Sequence, residues 1–264
     1  KYIESAKIEN NRTKNKNYFQ NNSVETKVMN SYYGSDVNTP INLKNEKTIF
    51  SDESTIETAY QYAYEKGNQK LIDANMVGIP LDTEVKKDGK TISKAETKYD
   101  NPVNLLPSSV LSYNMQSNTP STEVTYDIYD GKRNLIQYTT KAGVSTSIIW
   151  GYNQTQPIAK IEGAKLSDIT QTLINSIVNA SDDTNANYSE STLLNQLDAF
   201  RIALPNFQIS TYTYKPLIGV TTITPPSGIR EYYFYDTANR LESVKTNENG
   251  VLTTLKEYQY HYKP

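Results

Sequence analysis

The chain has no cysteine. Disulfides are therefore impossible, and a secreted form must be held by burial and by sheet hydrogen bonds. Thiol nucleophiles and thiolate zinc sites are excluded with them. Histidine is nearly absent too: one residue, His261, three positions before the end in a tyrosine-rich stretch. A Ser–His–Asp triad would have to use it, and no G-x-S-x-G elbow accompanies it. Gly-rich phosphate loops are missing. So is any apolar run of about 18 residues, the length a membrane-crossing helix needs. Neither sign of charge dominates, since the net charge is −2. Without a basic stripe, nucleic acid is not an expected partner. A pair of carboxylates across a cleft, as in glycoside hydrolysis, remains open because such pairs are distant in sequence, and no pair among the acidic residues stands out. The expectation is a non-enzymatic protein without cofactors.

What the chain does have is tyrosine: 22 residues, against 5 phenylalanines and 1 tryptophan. Tyrosine favours strands, and its amphipathic ring tolerates a half-wet sheet face. At 264 residues, one large all-β domain or two smaller ones is expected. The chain opens on Lys1 with neither Met nor a leader pattern, which reads as a processed product or a piece of something longer.

Residues 122–162 organise the rest. Tyr126-Asp127-Ile128-Tyr129-Asp130-Gly131 leads from one alternating, β-prone run into a turn, and Asn134-Leu135-Ile136 leads out. The cassette returns as Tyr233-Phe234-Tyr235-Asp236-Thr237-Ala238-Asn239-Arg240-Leu241. Bulky residues suit a pleated, half-buried surface. Asp236 offers an acceptor for turn N–H groups, and Asn239 tolerates the left-handed region. Alternation then resumes, so both copies read as hairpins.

Tyr-Asp, a short polar turn, then Asn-Arg-Leu or Asn-Leu resembles the YD repeat of bacterial Rhs-type surface proteins. The fullest copy is Tyr235 to Leu241, with Gly250 nine residues on. Residues 211–220 look like a copy with Lys215 replacing the aspartate, and Tyr258-Gln259-Tyr260-His261-Tyr262 like the opening of another. Recurrence at spacing carries the weight, over residues 122–162 and 206–264. The resemblance implies an exported, cell-surface or outer-membrane location and a scaffold or interaction role within a larger envelope assembly. The partners it implies are other envelope proteins or further repeats. In large relatives such repeats form a hollow shell around a toxin. This chain has few copies and lacks the Asp-Pro-x-Gly-Leu signature of a processing core, so a shell fragment stands as an alternative.

The fold class expected is mainly β with a few helices: an extended antiparallel sheet of YD-type hairpins with a helical hairpin packed on it. Two regions are expected. Residues 1–120 form a β-rich N-terminal part with one helix at about 55–74. Residues 121–264 form the repeat-like part with a helical insertion at 165–205. Within the first, short runs at 1–8, 23–33 and 48–50 read as strands, or else as a partly ordered polar arm. Ile56, Ala59, Tyr60, Ala63 and Tyr64 recur at helical spacing, with Ser54 or Thr55 as cap. Asp88-Gly89 between alternating runs marks a hairpin over 81–99, and 103–116 reads as further strand. In the second region, 144–152 and 157–161 read as strands. Two amphipathic helices follow, 166–178 capped by Ser167 and 189–204 ending at Pro205. Residues 206–214, 220–223, 228–235, 240–246 and 251–262 complete a meander.

Three binding sites come from the residues. Trp150 and Tyr152, with Tyr233 and Tyr235, could stack on polysaccharide, although a large aromatic in a β-rich run more commonly fills core. Tyr60 and Tyr64 could form a ligand platform or pack on the sheet. Asp183, Asn185 and Asn187 alternate oxygen ligands in a loop over 181–187. A calcium loop would want Gly next, where Tyr188 stands.

Overall fold

The computed structural model describes residues 10–19, 22–34, 41–183, 189–248 and 250–260. The fold is mainly β. Among these residues sixteen strands form an antiparallel sheet in which each strand lies beside its neighbours in sequence, and three helices, two of them substantial, are inserted. The chain divides into two compact units, Lys1–Thr125 and Tyr126–Pro264.

In the first unit, β1 (Asn10–Phe19) and β2 (Asn22–Tyr32) pair along their length. β3 (Leu43–Ile49), β4 (Thr55–Gln61), β5 (Asp82–Lys87), β6 (Lys90–Lys98) and β7 (Ser109–Tyr113) follow in order. The Asp88-Gly89 hairpin forms as expected: Lys87 faces Lys90, and both turn residues have positive φ, 50° and 80°. That is the backbone a two-residue hairpin with the right twist demands. The Asp88 carboxylate also accepts from the Thr55 amide at 2.6 Å, tying the turn to the start of β4.

The expected helix over 55–74 is not there. Its first part is strand β4, and a five-residue helix, α1 (Gln69–Asp73), follows a turn. The physical reason lies in the spacing. Ile56, Tyr60 and Tyr64 are four apart, as are Ala59 and Ala63, and an even offset keeps residues on one face of a strand as well as of a helix. Pairing of β4 with β3 and β5 decides between the two. Tyr60 therefore lies in a strand, where its carbonyl accepts from the Tyr33 hydroxyl, and Tyr64 stands exposed beyond it. β1 was not expected from the sequence at all, and of 103–116 only β7 is strand. The expected strand at 1–8 lies outside the described residues.

The second unit begins in β8 (Pro120–Tyr129) and continues through β9 (Leu135–Thr140), β10 (Ser145–Gly151) and β11 (Gln156–Glu162). After a 3-10 turn (Leu166–Asp168), α2 (Gln171–Asp182) and α3 (Glu190–Ala203) form a helical hairpin on the sheet. Strands β12 (Gln208–Lys215), β13 (Gly219–Thr224), β14 (Glu231–Tyr235), β15 (Leu241–Glu248) and β16 (Val251–Glu257) finish the meander. Ser167 is not a helix cap. Asp168 accepts from the Lys165 amide at 2.9 Å and closes a separate turn, and the cap position of α2 is Thr170. Ser181 and Asp182, expected in a loop, are the end of α2.

The largest core lies under that helical hairpin. Ile177 of α2 and Leu193, Leu197 and Phe200 of α3 bury against Ile149, Ile158, Ile161 and Ile209 of the sheet. Arg201 clamps the far end: its guanidinium donates to the carbonyls of Ile209, Thr224, Pro225 and Pro226. At the near end the Glu190 carboxylate accepts from the hydroxyls of Thr213 and Thr221. Gly151 permits the close approach of α2, since a Cβ there would collide with Ser181 Oγ and sit 2.9 Å from two Ile158 carbons.

Candidate functional site

The two Asp-bearing cassettes make the same turn. Asp130 N–H donates to Asn134 O at 2.9 Å and Arg133 N–H returns to Asp130 O at 3.0 Å. Asp236 and Arg240, Asn239 and Asp236 repeat both bonds at 2.9 Å each. The aspartate then braces its own loop. Asp130 Oδ1 accepts from the Lys132 and Asn134 amides, and Asp236 Oδ1 from those of Ala238 and Arg240. The fourth residue is left-handed: Arg133 at φ 71° and Asn239 at φ 59°. This is a three-residue loop, a type I turn followed by a left-handed residue. Phe50–Ser54 and Thr140–Val144 close with the same pair of backbone bonds, around Glu53 and Gly143. In the copy with Lys215, the side chain cannot accept; Ile218 N–H donates to Lys215 O at 3.0 Å, and Lys215 pairs with Gly219 in the ladder.

Tyrosine hydroxyls form a second recurring device: they reach backbone carbonyls of other strands. Tyr62 bonds Leu43 O, Tyr214 bonds Pro157 O, Tyr235 bonds Val220 O and Tyr260 bonds Leu241 O. Phenylalanine could cover the sheet but could not make these bonds, which accounts for the bias toward tyrosine. Burial pushes Tyr214 up to about 12, so its hydroxyl stays a donor at any ordinary pH. Tyr233 is raised as well, by burial and by its bond to Glu231.

Of the expected sugar-stacking residues, Trp150 lies near the end of β10 and Tyr152 in the turn just past it, while Tyr233 and Tyr235 lie on β14. Trp150 is half-buried, and its Nε1–H donates to Leu135 O at 3.0 Å. It lines a groove of about 310 Å³ between α2 and the sheet, with Ile136, Ile174, Gln154, Gln171 and Asn175 among the other walls. The β-bulge between Ile149 and Trp150 sits in this wall. Tyr152 packs edge-on against Tyr214 at 5.7 Å, and its oxygen accepts from the Tyr214 amide at 2.8 Å. Tyr233 and Tyr235 line a separate cavity of about 270 Å³ with Glu190 and Lys215. Asp183 caps the end of α2; Asn185 and Asn187, its proposed companions in a calcium loop, lie outside the described residues, as does His261. Among the described residues no cluster of His, Cys, Asp and Glu has the makings of a metal site, and no helix is long and apolar enough to cross a membrane.

A constellation that sequence reading missed lies in the first unit. Glu96 and Asp82 face each other across β5 and β6, both buried. Glu96 accepts from Lys66 at 2.8 Å, Lys98 at 2.9 Å and Tyr113 Oη at 2.7 Å. Asp82 stands 3.5 Å from both Lys66 and Lys94, at ion-pair rather than hydrogen-bond distance. Burial alone would raise the Glu96 carboxyl, but the bonds from Lys66, Tyr113 and Lys98 outweigh it and bring it down to about 2. Glu96 in turn pushes Tyr113 up to about 12. A cavity of about 440 Å³ opens beside Lys66, Glu96 and Lys98. Lys70, also on its wall, already serves the carbonyls of Tyr99, Asn101 and Asn104. Glu96 and Tyr113 are held far from the neutral range where proton transfer is efficient. They lock strands together.

No protein-family model matches the chain, and no curated protein matches it. Among solved structures, the TcdB2-TccC3-Cdc42 complex is similar over 88% of this chain and 12% of that one, at 12% identity and a TM-score of 0.40. A Photorhabdus luminescens Tc holotoxin pore is similar over 89% and 12%, at 12% identity and 0.36. A porin-like protein from Bacteroides uniformis covers 92% of this chain and 93% of its own, at 11% identity and 0.27. The chain thus spans 12% of the length of the TccC3-containing chains, and likenesses this distant carry no activity across.

Proposed function

We propose that the chain is a structural segment of an Rhs-type β wall, exported by a bacterium and built to be continued by further hairpins. The observation that carries this reading is the strand order. Every strand pairs with its neighbours in sequence, and four of the links reuse one three-residue turn, two of them braced by an aspartate. Such a sheet grows by adding hairpins and needs no long-range crossover. Its interior polar groups serve the wall: tyrosines bond carbonyls, Arg201 and Glu190 clamp the helices, and Glu96 is locked by cations. The role is non-enzymatic. In one form the wall belongs to a shell enclosing a guest polypeptide. In the other it presents its edge to proteins of the cell envelope.

The end strand favours continuation. All seven residues of β16 are exposed, with Val251, Leu252 and Leu255 on show and charge only at Lys256 and Glu257. Natural sheet edges are usually blunted by charge, proline or cover. Electron cryomicroscopy of the protein purified from its native source tests the proposal. A hollow particle with β16 paired inside its wall is the expected result. A solid particle with β16 bare would overturn it.

A further inference from the structure

We propose that the groove beside α2 binds the ring of a neutral saccharide, with Trp150 as its stacking wall, a role beyond that of a structural wall. The indole is held before any ligand arrives, because its Nε1–H is bonded to Leu135 O at 3.0 Å. Little side-chain entropy remains to be lost when a ring stacks on it. Ile136 and Ile174 continue the apolar surface that the C–H face of a pyranose needs.

The polar side of the groove matches hydroxyls. On α2, Gln171 Nε2 donates to Asn175 Oδ1 at 2.8 Å. That bond orients both amides and leaves, among the described residues, the Gln171 carbonyl as acceptor and the Asn175 amide as donor. A sugar hydroxyl both donates and accepts, so this alternation suits it. Gln154, in the turn after β10, also lines the groove.

Charge excludes the other ligand classes. Among the described residues no lysine or arginine lines the groove, so an anion finds no counter-ion there. Its one carboxylate, Asp130, is already committed to the Lys132 and Asn134 amides and to Asn134 Nδ2. A cation would have to compete with those bonds. The volume, about 310 Å³, falls at the small end of the range for ligand sites, roughly 300–1,000 Å³.

Because Trp150 is the only tryptophan, its fluorescence reports this groove alone. Titration with cellotetraose, maltotetraose and chitotetraose is expected to give a saturable change in emission with at least one of them. The corresponding monosaccharide separates recognition of one ring from recognition of a chain. Replacing Gln171→Ala and Asn175→Ala together keeps the reporter and, since both side chains are exposed on α2, keeps the helix. That variant should bind at least about tenfold more weakly, the effect of removing about two ligand hydrogen bonds. No saturable change with any of the sugars would overturn the proposal. Undiminished binding by the double variant would do so too, as would a response to hexanol with none to sugars.

Discussion

Single side chains in this protein mostly brace turns or close backbone accounts between strands. Asp130 illustrates the first use. Its replacement by alanine removes acceptors for two loop amides, and unfolding in urea should show a loss of about 1–2 kcal/mol. The aspartates at these turns were legible in the sequence because the bonds are local. The Glu96 cluster was not, because Lys66, Lys98 and Tyr113 converge on it from different elements. It has a pH signature. The Glu96 carboxyl titrates near 2 in the folded protein and near its ordinary value of 4.5 when unfolded. The stability it contributes is therefore complete above about 4.5 and is lost as pH falls through about 2. It is on the order of 3 kcal/mol. In Glu96→Gln, urea midpoints measured between pH 2 and 7 should lose that part of the acid dependence; an unchanged slope would remove Glu96 from the account. Tyr113 adds a mirror effect at the alkaline end: raised to about 12, it contributes stability that is lost as pH rises above its ordinary 10.

At the scale of elements, hairpins were the readable part. Asp88-Gly89 and Asp236 to Arg240 specify their loops with adjacent residues, and both form as expected. Helices were read less evenly. The stretch at 55–61 satisfies both periods, and only its strand neighbours resolve it. The insertion of α2 and α3 was legible from its apolar stripe, yet its clamps were not: Arg201 is fixed by carbonyls up to 25 residues away. The stripe makes a sharp prediction. Leu197→Ala, fully buried under the hairpin, should cost about 2–5 kcal/mol. Ile202→Ala, in the same helix but 79% exposed, should stay within about 0.5 kcal/mol. Equal effects in calorimetric unfolding would mean that α3 docks by another face. Gly151→Ala should also destabilise, because the added Cβ would push Ser181 of α2, and Ile158, away from β10; a protease-resistant, unshifted helical hairpin would contradict that.

For the whole molecule, the central claim is that the sheet is built to continue past β16. The most direct test is hydrogen exchange along residues 251–257 in the protein isolated from its native source. In a continued wall both backbone ladders of β16 are paired, so all its amides should exchange as slowly as those of β15. Fast exchange at alternate amides of β16, beside a protected β15, would show a bare edge and contradict the account.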